Sequence, residues 1–147
     1  MPGVIRVERP SDVEIGARER VLLALDAHDR RRVRRRLEAP DGTVLELALP
    51  TGSVIRVGQV LYADERRAYV VSAAAESTLV VRPRDLREAA RAGHLIGNLH
   101  RDVDVLDDGR VVALHDDTVE TRLRAAGFDV EREERAFLGR APGEHAH

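Results

Sequence analysis

The sequence predicts an α+β fold, with an N-terminal all-β domain over residues 1–72 followed by a ferredoxin-like βαββαβ domain over residues 73–138. Two observations favour this organisation. Short apolar runs separated by turn residues fill the first half of the chain, which is typical of small β domains. Beyond an alanine-rich junction near residues 72–77, two helical patterns alternate with strand patterns. Residues 139–147 have no hydrophobic periodicity, so we expect a flexible tail there.

Turn signals bound the predicted strands of the first domain. The dipeptide Asp41-Gly42 between two apolar runs predicts a hairpin, and Gly52 and Gly58 mark two further turns. Because the short strands follow one another closely, they predict a small sandwich or barrel. The strand patterns cover Val21 to Leu25, Arg32 to Leu37, Val44 to Leu49, Val54 to Val57, Val60 to Tyr62 and Tyr69 to Val71.

Two helices interrupt the strand patterns of the second domain. The first is predicted to open after Pro83 and to reach Gly93. The second starts at Thr118, with Asp116 and Asp117 both suited to its beginning, and stops at Gly127. Strand patterns precede, separate and follow these helices, which gives the order βαββαβ. They cover Thr78 to Arg82, Val103 to Val105, Val111 to Leu114 and Phe128 to Phe137.

Composition excludes several classes of protein. There is no cysteine, which removes disulfides, thiolate metal sites and cysteine nucleophiles. Aromatic residues make up 3% of the chain and the formal net charge is −2, so base stacking and a general attraction to nucleic acid are both disfavoured. No apolar run approaches the length of a membrane span and no signal-peptide core is present, so we expect a cytoplasmic protein.

No enzymatic motif stands out in the sequence. It has no glycine loop of the kind that cradles phosphates, and none of its serines lies in a nucleophile elbow. The paired carboxylates Asp107-Asp108 and Glu133-Glu134 are adjacent in sequence and fit a turn and a strand. We therefore predict that the protein is not an enzyme.

The arginine run from Arg30 to Arg36 is the strongest local charge feature. It has two interpretations: a contact surface for an acidic protein, or a solvated strand or loop whose charges are offset elsewhere. Without interleaved aromatic residues the second interpretation is favoured, and nucleic acid is the weaker choice of partner.

The six histidines are the remaining candidates for chemistry, because neutral imidazole binds nickel, copper and zinc. His94 and His100 lie six positions apart, so on a continuous helix they would point to different faces and would not share a site within one chain. His115, Asp116 and Asp117 offer three ligands in a row, although both aspartates also suit the start of a helix.

A two-fold symmetric dimer would resolve the shortage of ligands in one chain. Each ligand is then supplied twice, so one histidine near the axis becomes two. His145 and His147 in the tail could add further imidazoles. A site built in this way would be open and exchangeable, which suits the transfer of a metal better than its retention.

Three stretches, in order and with matching spacing, resemble the UreE-type urease accessory proteins, which are nickel metallochaperones. Residues 47–58, LALPTGSVIRVG, following Asp41-Gly42, are similar to the family's N-terminal domain. Residues 96–100, IGNLH, are similar to its hydrophobic-GNRH motif, and residues 115–120, HDDTVE, to its HDHVLED segment. The resemblance covers roughly residues 20 to 137.

The resemblance implies a homodimer joined through the C-terminal domains, in which His100 of both subunits binds nickel. It implies delivery of that nickel to apo-urease together with the accessory GTPase UreG. The predicted metal-binding residues are His100, His115, Asp117, His145 and His147. Because imidazole also binds zinc and copper well, ligand type alone does not exclude a general zinc or copper protein.

The chain departs from the family pattern at several positions. The motif arginine is Leu99, the second histidine of the HDH segment is Asp117, and the arginine of the LPRG motif is Thr51. Some family members carry a histidine just before the GNRH motif, but His94 lies one position earlier than that histidine. The role of the family's histidine is therefore not transferred to His94. These changes indicate a divergent member. They also leave open a non-metallic binding module, in which the arginine-rich domain docks an acidic partner and His100 is structural.

Overall fold

A computed structural model describes residues 3–139 of the chain. The chain divides into two compact units, Met1–Ala73 and Ala74–His147, which we call the N-terminal and C-terminal units. The first contains strands and one short 3-10 helix, and the second contains strands and two α-helices. The predicted α+β fold class is therefore confirmed.

Two three-stranded sheets make up the N-terminal unit, in the orders β1-β4-β3 and β2-β6-β5. In each sheet the central strand has one parallel and one antiparallel neighbour. Alternate residues of both sheets, such as Leu23 and Leu45, point into one shared core, which agrees with the period-two pattern of the sequence. The strands are β1 Val4–Val7, β2 Glu19–Leu25, β3 Arg34–Glu38, β4 Val44–Ala48, β5 Val60–Ala63 and β6 Arg67–Ala73.

The segment from Val54 to Val57 is not the strand that the sequence predicts. Turns at Gly52 and Gly58, both with positive φ, leave too few residues between them to form a ladder. Ile55 is nonetheless buried, and its amide donates to the carbonyl of Arg30 at 3.0 Å. The apolar pattern there reflects burial of one side chain in a loop.

The arginine run is divided between the interior and the surface. Arg30 lies in a 3-10 helix, Asp29–Arg31, is buried, and donates from Nη1 to the carbonyl of Leu25 at 2.8 Å. Arg35 pairs with Asp29 at 2.7 Å, while Arg34 is exposed. The solvated interpretation thus holds for only part of the run, because burying a guanidinium requires partners such as these.

The side chain of Asp41, in the predicted hairpin turn, connects the hairpin β3–β4 to strand β6. It accepts hydrogen bonds from the Tyr69 hydroxyl at 2.7 Å, the Arg67 guanidinium at 2.9 Å and the Thr43 amide at 2.9 Å. Burial by itself raises the pKa of Asp41, but these hydrogen bonds outweigh it and hold the pKa below its ordinary value. The turn residue therefore also joins the two sheets.

One four-stranded antiparallel sheet forms the C-terminal unit, in the order β10-β7-β9-β8. Together with its two helices this is the predicted ferredoxin-like βαββαβ arrangement. The core contains the inward residues of the sheet and of both helices, among them Leu79, Ile96 and Leu123. The elements are β7 Ala75–Val81, α1 Leu86–Asn98, β8 Asp104–Val105, β9 Val111–Leu114, α2 Asp117–Ala125 and β10 Val130–Ala136.

Helix α1 is longer than the sequence predicts, because it continues through Gly93 and Gly97 to Asn98. Its buried stripe includes Ala92 and Ile96, so packing against the sheet holds the glycines in helical conformation despite their low propensity. Helix α2 follows its prediction closely, with the expected stop at Gly127. No helix among residues 3–139 is long and apolar enough to cross a membrane.

Candidate metal centre

His100 lies just beyond the last turn of α1 in an unusual backbone conformation. Its φ is +56°, and it is the only non-glycine residue of positive φ within residues 3–139. The amide of His100 donates to the Gly97 carbonyl at 3.0 Å, and the amide of Arg101 donates to the Ile96 carbonyl at 3.3 Å. This is the Schellman arrangement that ends a helix, with histidine at the position where glycine is usual.

The left-handed backbone conformation at His100 is energetically unfavourable. An L-residue in the left-handed region is disfavoured by about 1–2 kcal/mol, although histidine visits it more readily than most residues. Backbone strain of this kind is found where a side chain has to be placed for function. The imidazole of His100 is exposed, so it is available to a ligand or to a second protein chain.

Within one chain, His100 is not part of a ready-made cluster. Among the described residues, the group of three potential ligands that lie close together does not include it. His94 is held separately on α1, where the amide Nδ2 of Asn98 lies 3.1 Å from its Nε2. Asn98 therefore contacts a side chain one helical turn earlier.

That cluster consists of His115, Asp117 and Glu120, whose ligand atoms all lie within 4.8 Å of one another. Nε2 of His115 is 3.5 Å from Asp117 Oδ1 and 3.3 Å from Glu120 Oε1. The structure thus brings together two predicted ligands. Glu120 was missed, although its spacing of three from Asp117 on a helix places both on one face.

Glu120 is the most strongly perturbed group in this cluster. Hydrogen bonds from Arg132 and then from Arg124 lower its pKa to about 2. The guanidinium contacts are 2.7 Å from Arg132 and 2.9 Å from Arg124. Glu120 is therefore ionised at neutral pH, as a metal ligand must be, but a metal ion would have to share its oxygens with two arginines.

Of the two aspartates predicted to suit the start of α2, Asp116 is the one that caps it. Its Oδ1 accepts from the amides of Thr118 at 2.9 Å and Val119 at 3.1 Å. Its Oδ2 lies 3.2 Å from Nη2 of Arg101. The hydrogen bond from Val119 and the ion pair with Arg101 hold the pKa of Asp116 below its usual range.

Gly139, the last residue that the structure describes, lies beside the loop that follows His100. A Cβ at Gly139 would meet the ring of Phe137 and would lie 2.7 Å from the backbone carbon and oxygen of Val103. Val103 is three residues after His100. The remaining predicted ligands, His145 and His147, lie outside the described residues.

Comparisons with known proteins identify the relatives of this chain. Residues 5–74 match the family model described as UreE urease accessory protein, N-terminal domain. The chain is 51% identical over 126 residues to the urease accessory protein UreE of Synechococcus sp. (strain JA-3-3Ab), covering 85% of this chain and 83% of that protein. It is 50% identical over 125 residues to the protein of the same name from Deinococcus radiodurans, covering 85% and 80%.

A more distant relative extends the comparison. The urease accessory protein UreE of Arthrobacter sp. (strain FB24) is 32% identical over 120 residues, which cover 76% of this chain and 74% of that protein. The resemblance predicted from the three motifs is thereby confirmed. The chain belongs to the UreE family of urease accessory proteins.

Proposed function

We propose that this UreE-family protein serves urease maturation as a nickel metallochaperone in the cytoplasm, a carrier and not a catalyst. In this proposal a homodimer binds nickel between the His100 imidazoles of its two subunits and delivers it to apo-urease together with UreG. The observation that carries the proposal is the left-handed, exposed placement of His100 at the end of α1. The family relationship supports the choice of nickel and of urease as recipient.

A dimer supplies what one chain lacks. A single exposed imidazole is a weak ligand, whereas a two-fold axis beside His100 would present two of them at the same point. Such a site leaves several coordination positions open. A carrier needs this property, since the recipient protein must be able to take over ligand positions one at a time.

The tail histidines are proposed as additional ligands of the same ion. Gly139 packs near Val103, so the tail begins close to the loop that carries His100. An extended chain advances about 3.3–3.6 Å per residue, so His145, six residues beyond Gly139, could reach about 20 Å from it. His147 extends this range further. Both imidazoles could therefore approach a metal ion held by His100.

The cluster of His115, Asp117 and Glu120 is proposed as a secondary, weaker site. Its donors are one imidazole and two carboxylates, a set that accepts nickel or zinc. Arg124 and Arg132 already occupy the oxygens of Glu120, so a cation there would face competition and repulsion from two fixed positive charges. We expect this site to fill only after the His100 site.

Isothermal titration of the full chain with nickel tests the proposal. We expect about one tightly bound ion per two chains, and loss of the tight site in His100→Ala. The variant His94→Ala is the matched control, because His94 is an exposed histidine on the same helix. Since protonated imidazole cannot bind metal, affinity should fall in acidic solution.

Two results would contradict the proposal. An unchanged nickel isotherm in His100→Ala would remove His100 from the site. Equal tight binding of zinc or copper, with no preference for nickel in competition at cellular concentrations, would favour the general metal-binding alternative. A urease activation assay with each variant then links the binding site to maturation.

A further inference from the structure

The direction of the His100 imidazole depends on the backbone that carries it. Among residues 3–139 the imidazole has neither a hydrogen bond nor an ion pair of its own. The backbone at His100 is left-handed, which is disfavoured for a residue with a Cβ. Such a conformation persists only where neighbouring contacts hold it. The contacts of the loop from Leu99 to Arg101 therefore decide where the imidazole points.

The guanidinium of Arg101 joins this loop to the start of α2. Its Nη1 donates at 3.1 Å to the carbonyl of Leu99, which belongs to the peptide group that leads into His100. Its Nη2 and Nε lie 3.2 and 3.4 Å from Oδ2 of Asp116. Since Leu99 stands where the family motif has arginine, Arg101 is the only guanidinium next to His100 in the sequence. One side chain thus contacts both the peptide group before His100 and the cap of a helix.

The carboxylate that Arg101 contacts is itself held in place. Oδ1 of Asp116 accepts from the amides of Thr118 and Val119, which fixes the carboxylate at the start of α2 and leaves Oδ2 for Arg101. The helix is anchored in turn by Val119, which is buried in the core of the C-terminal unit. The contacts of Arg101 therefore connect the His100 loop to the core of this unit.

We propose that Arg101 is a positioning residue for the metal site. Its guanidinium holds the left-handed loop and so directs the His100 imidazole toward the bound nickel. This inference rests on the proposed function, because that function places nickel at His100. The Arg101 side chain is 49% exposed, and an exposed ion pair adds little to stability. The contact should therefore matter more for metal affinity than for folding.

Nickel titration of the full chain tests the proposal, with Arg101→Gln as the variant. Glutamine is shorter and cannot contact the Leu99 carbonyl and Asp116 together. We expect nickel affinity to fall by about tenfold or more, as is usual when a residue that orients a metal ligand is lost. The denaturant midpoint should stay close to that of the unaltered chain. Arg101→Lys keeps the charge, but its single ammonium cannot make both contacts, so it should recover only part of the affinity.

Arg82→Gln is the matched control for loss of an exposed ion pair. Arg82 pairs with Glu131 at 3.2 Å, the same distance as between Arg101 and Asp116, and its side chain is also 49% exposed. It directly follows strand β7, away from the His100 loop in sequence. Nickel affinity should be unchanged in this control. An equal loss in both variants would mean that overall charge, and not the loop, sets the affinity.

A double-mutant cycle shows whether Arg101 acts through Asp116. Asp116→Asn keeps a good cap for α2 but removes the charge. If the two residues act as one unit, the chain with both changes should bind nickel no more weakly than Arg101→Gln alone. Losses that add in free energy would mean that Arg101 acts elsewhere, for instance on the second chain of the dimer, and would overturn the proposal.

Nuclear magnetic resonance of the nickel-free chain gives a readout that does not depend on metal. The nuclear Overhauser effect between the amide proton and Hα of His100 is strong at positive φ, and it should weaken in Arg101→Gln and in Asp116→Asn but not in Arg82→Gln. An unchanged effect in Arg101→Gln would overturn the proposal, and so would unchanged nickel affinity.

Two further measurements separate this inference from the proposed function. Light scattering should give Arg101→Gln the same mass as the unaltered chain, and a smaller mass would overturn the proposal, because loss of the dimer would then explain weak binding. If His100→Ala keeps tight nickel binding, the metallochaperone proposal fails, whereas the resonance data still decide whether Arg101 holds the loop.

Discussion

Arg101, the residue after His100, forms an ion pair with Asp116, the residue after His115; Nη2 of the arginine lies 3.2 Å from Oδ2 of the aspartate. The backbone carbonyl of Leu99 also accepts from the same guanidinium at 3.1 Å. The loop that presents His100 is therefore tied to the residue that caps α2. The two candidate metal-binding segments are connected by one short contact, even though they do not share a cluster.

The first prediction separates the two roles of Asp116. Asp116→Ala removes both the cap and the ion pair, and should reduce the free energy of unfolding by about 1–2 kcal/mol. Asp116→Asn keeps a good capping residue but removes the charge, so most stability should remain. If the ion pair orients the His100 loop, both variants should weaken nickel binding. Denaturant unfolding and nickel titration of each variant provide the measurements.

The second prediction concerns the cost of placing His100. His100→Gly relieves the left-handed strain and should raise the free energy of unfolding by about 0.5–1 kcal/mol, after the greater freedom of glycine in the unfolded chain is counted. His100→Ala should not gain this stability, since alanine keeps a Cβ. Both variants should lose tight nickel binding. If the glycine variant is less stable than the alanine variant, the backbone at His100 is not strained.

The third prediction concerns the base of the tail. Gly139→Ala would place a Cβ against Phe137 and Val103, and the shift that follows should destabilise the chain by about 1–3 kcal/mol. Truncation after Gly139 removes His145 and His147 without this clash. If the tail supplies ligands, truncation should weaken nickel binding and leave the melting temperature unchanged. Equal nickel affinity after truncation would remove the tail from the site.

The fourth prediction uses the low pKa of Glu120. A carboxylate whose pKa is lowered on folding stabilises the folded protein above its unfolded pKa of about 4.3, and this contribution is lost as pH falls toward about 2. Glu120→Gln should therefore lower stability at neutral pH and flatten the loss of stability between these two values. Urea denaturation at several pH values, for the unaltered chain and the variant, measures the difference. A parallel pH dependence in both proteins would show that Glu120 does not contribute.

The fifth prediction concerns the contact between the two sheets of the N-terminal unit. Asp41→Ala leaves the Tyr69 hydroxyl and the Arg67 guanidinium without a shared acceptor, and should cost about 2–3 kcal/mol of unfolding free energy. Glu38→Ala, at an exposed position on a neighbouring strand, is the control and should have little effect. Nickel binding should be normal in both. A normal stability of Asp41→Ala would mean that water replaces the lost contacts.

Hydrophobic periodicity was enough to predict the order of elements in the C-terminal unit, because its strands and helices have clear repeats of two and of three to four residues. The end of α1 was not predictable in this way. Gly93 is a plausible local stop, but burial of Ile96 one turn further on carries the helix past it. Strand β1, Val4–Val7, was also missed, because its parallel partner β4 is some forty residues away.

The candidate site was predictable only where a residue type is informative by itself. His100 was singled out by its motif, but its left-handed backbone depends on where the helix ends. Glu120 was overlooked because a glutamate on a helix is ordinary. What distinguishes it is the ion pair with Arg132, which lies on strand β10. Such contacts join distant parts of the chain and leave no local signal in the sequence.

Anomalous diffraction at the nickel absorption edge, from crystals of the full chain grown with nickel, would locate the bound ion. We predict one strong peak on a two-fold axis between two chains, with the imidazole of His100 from each chain bound to it. A strong peak at His115, Asp117 and Glu120 with none at His100, or chains that bring no two His100 residues together, would contradict it.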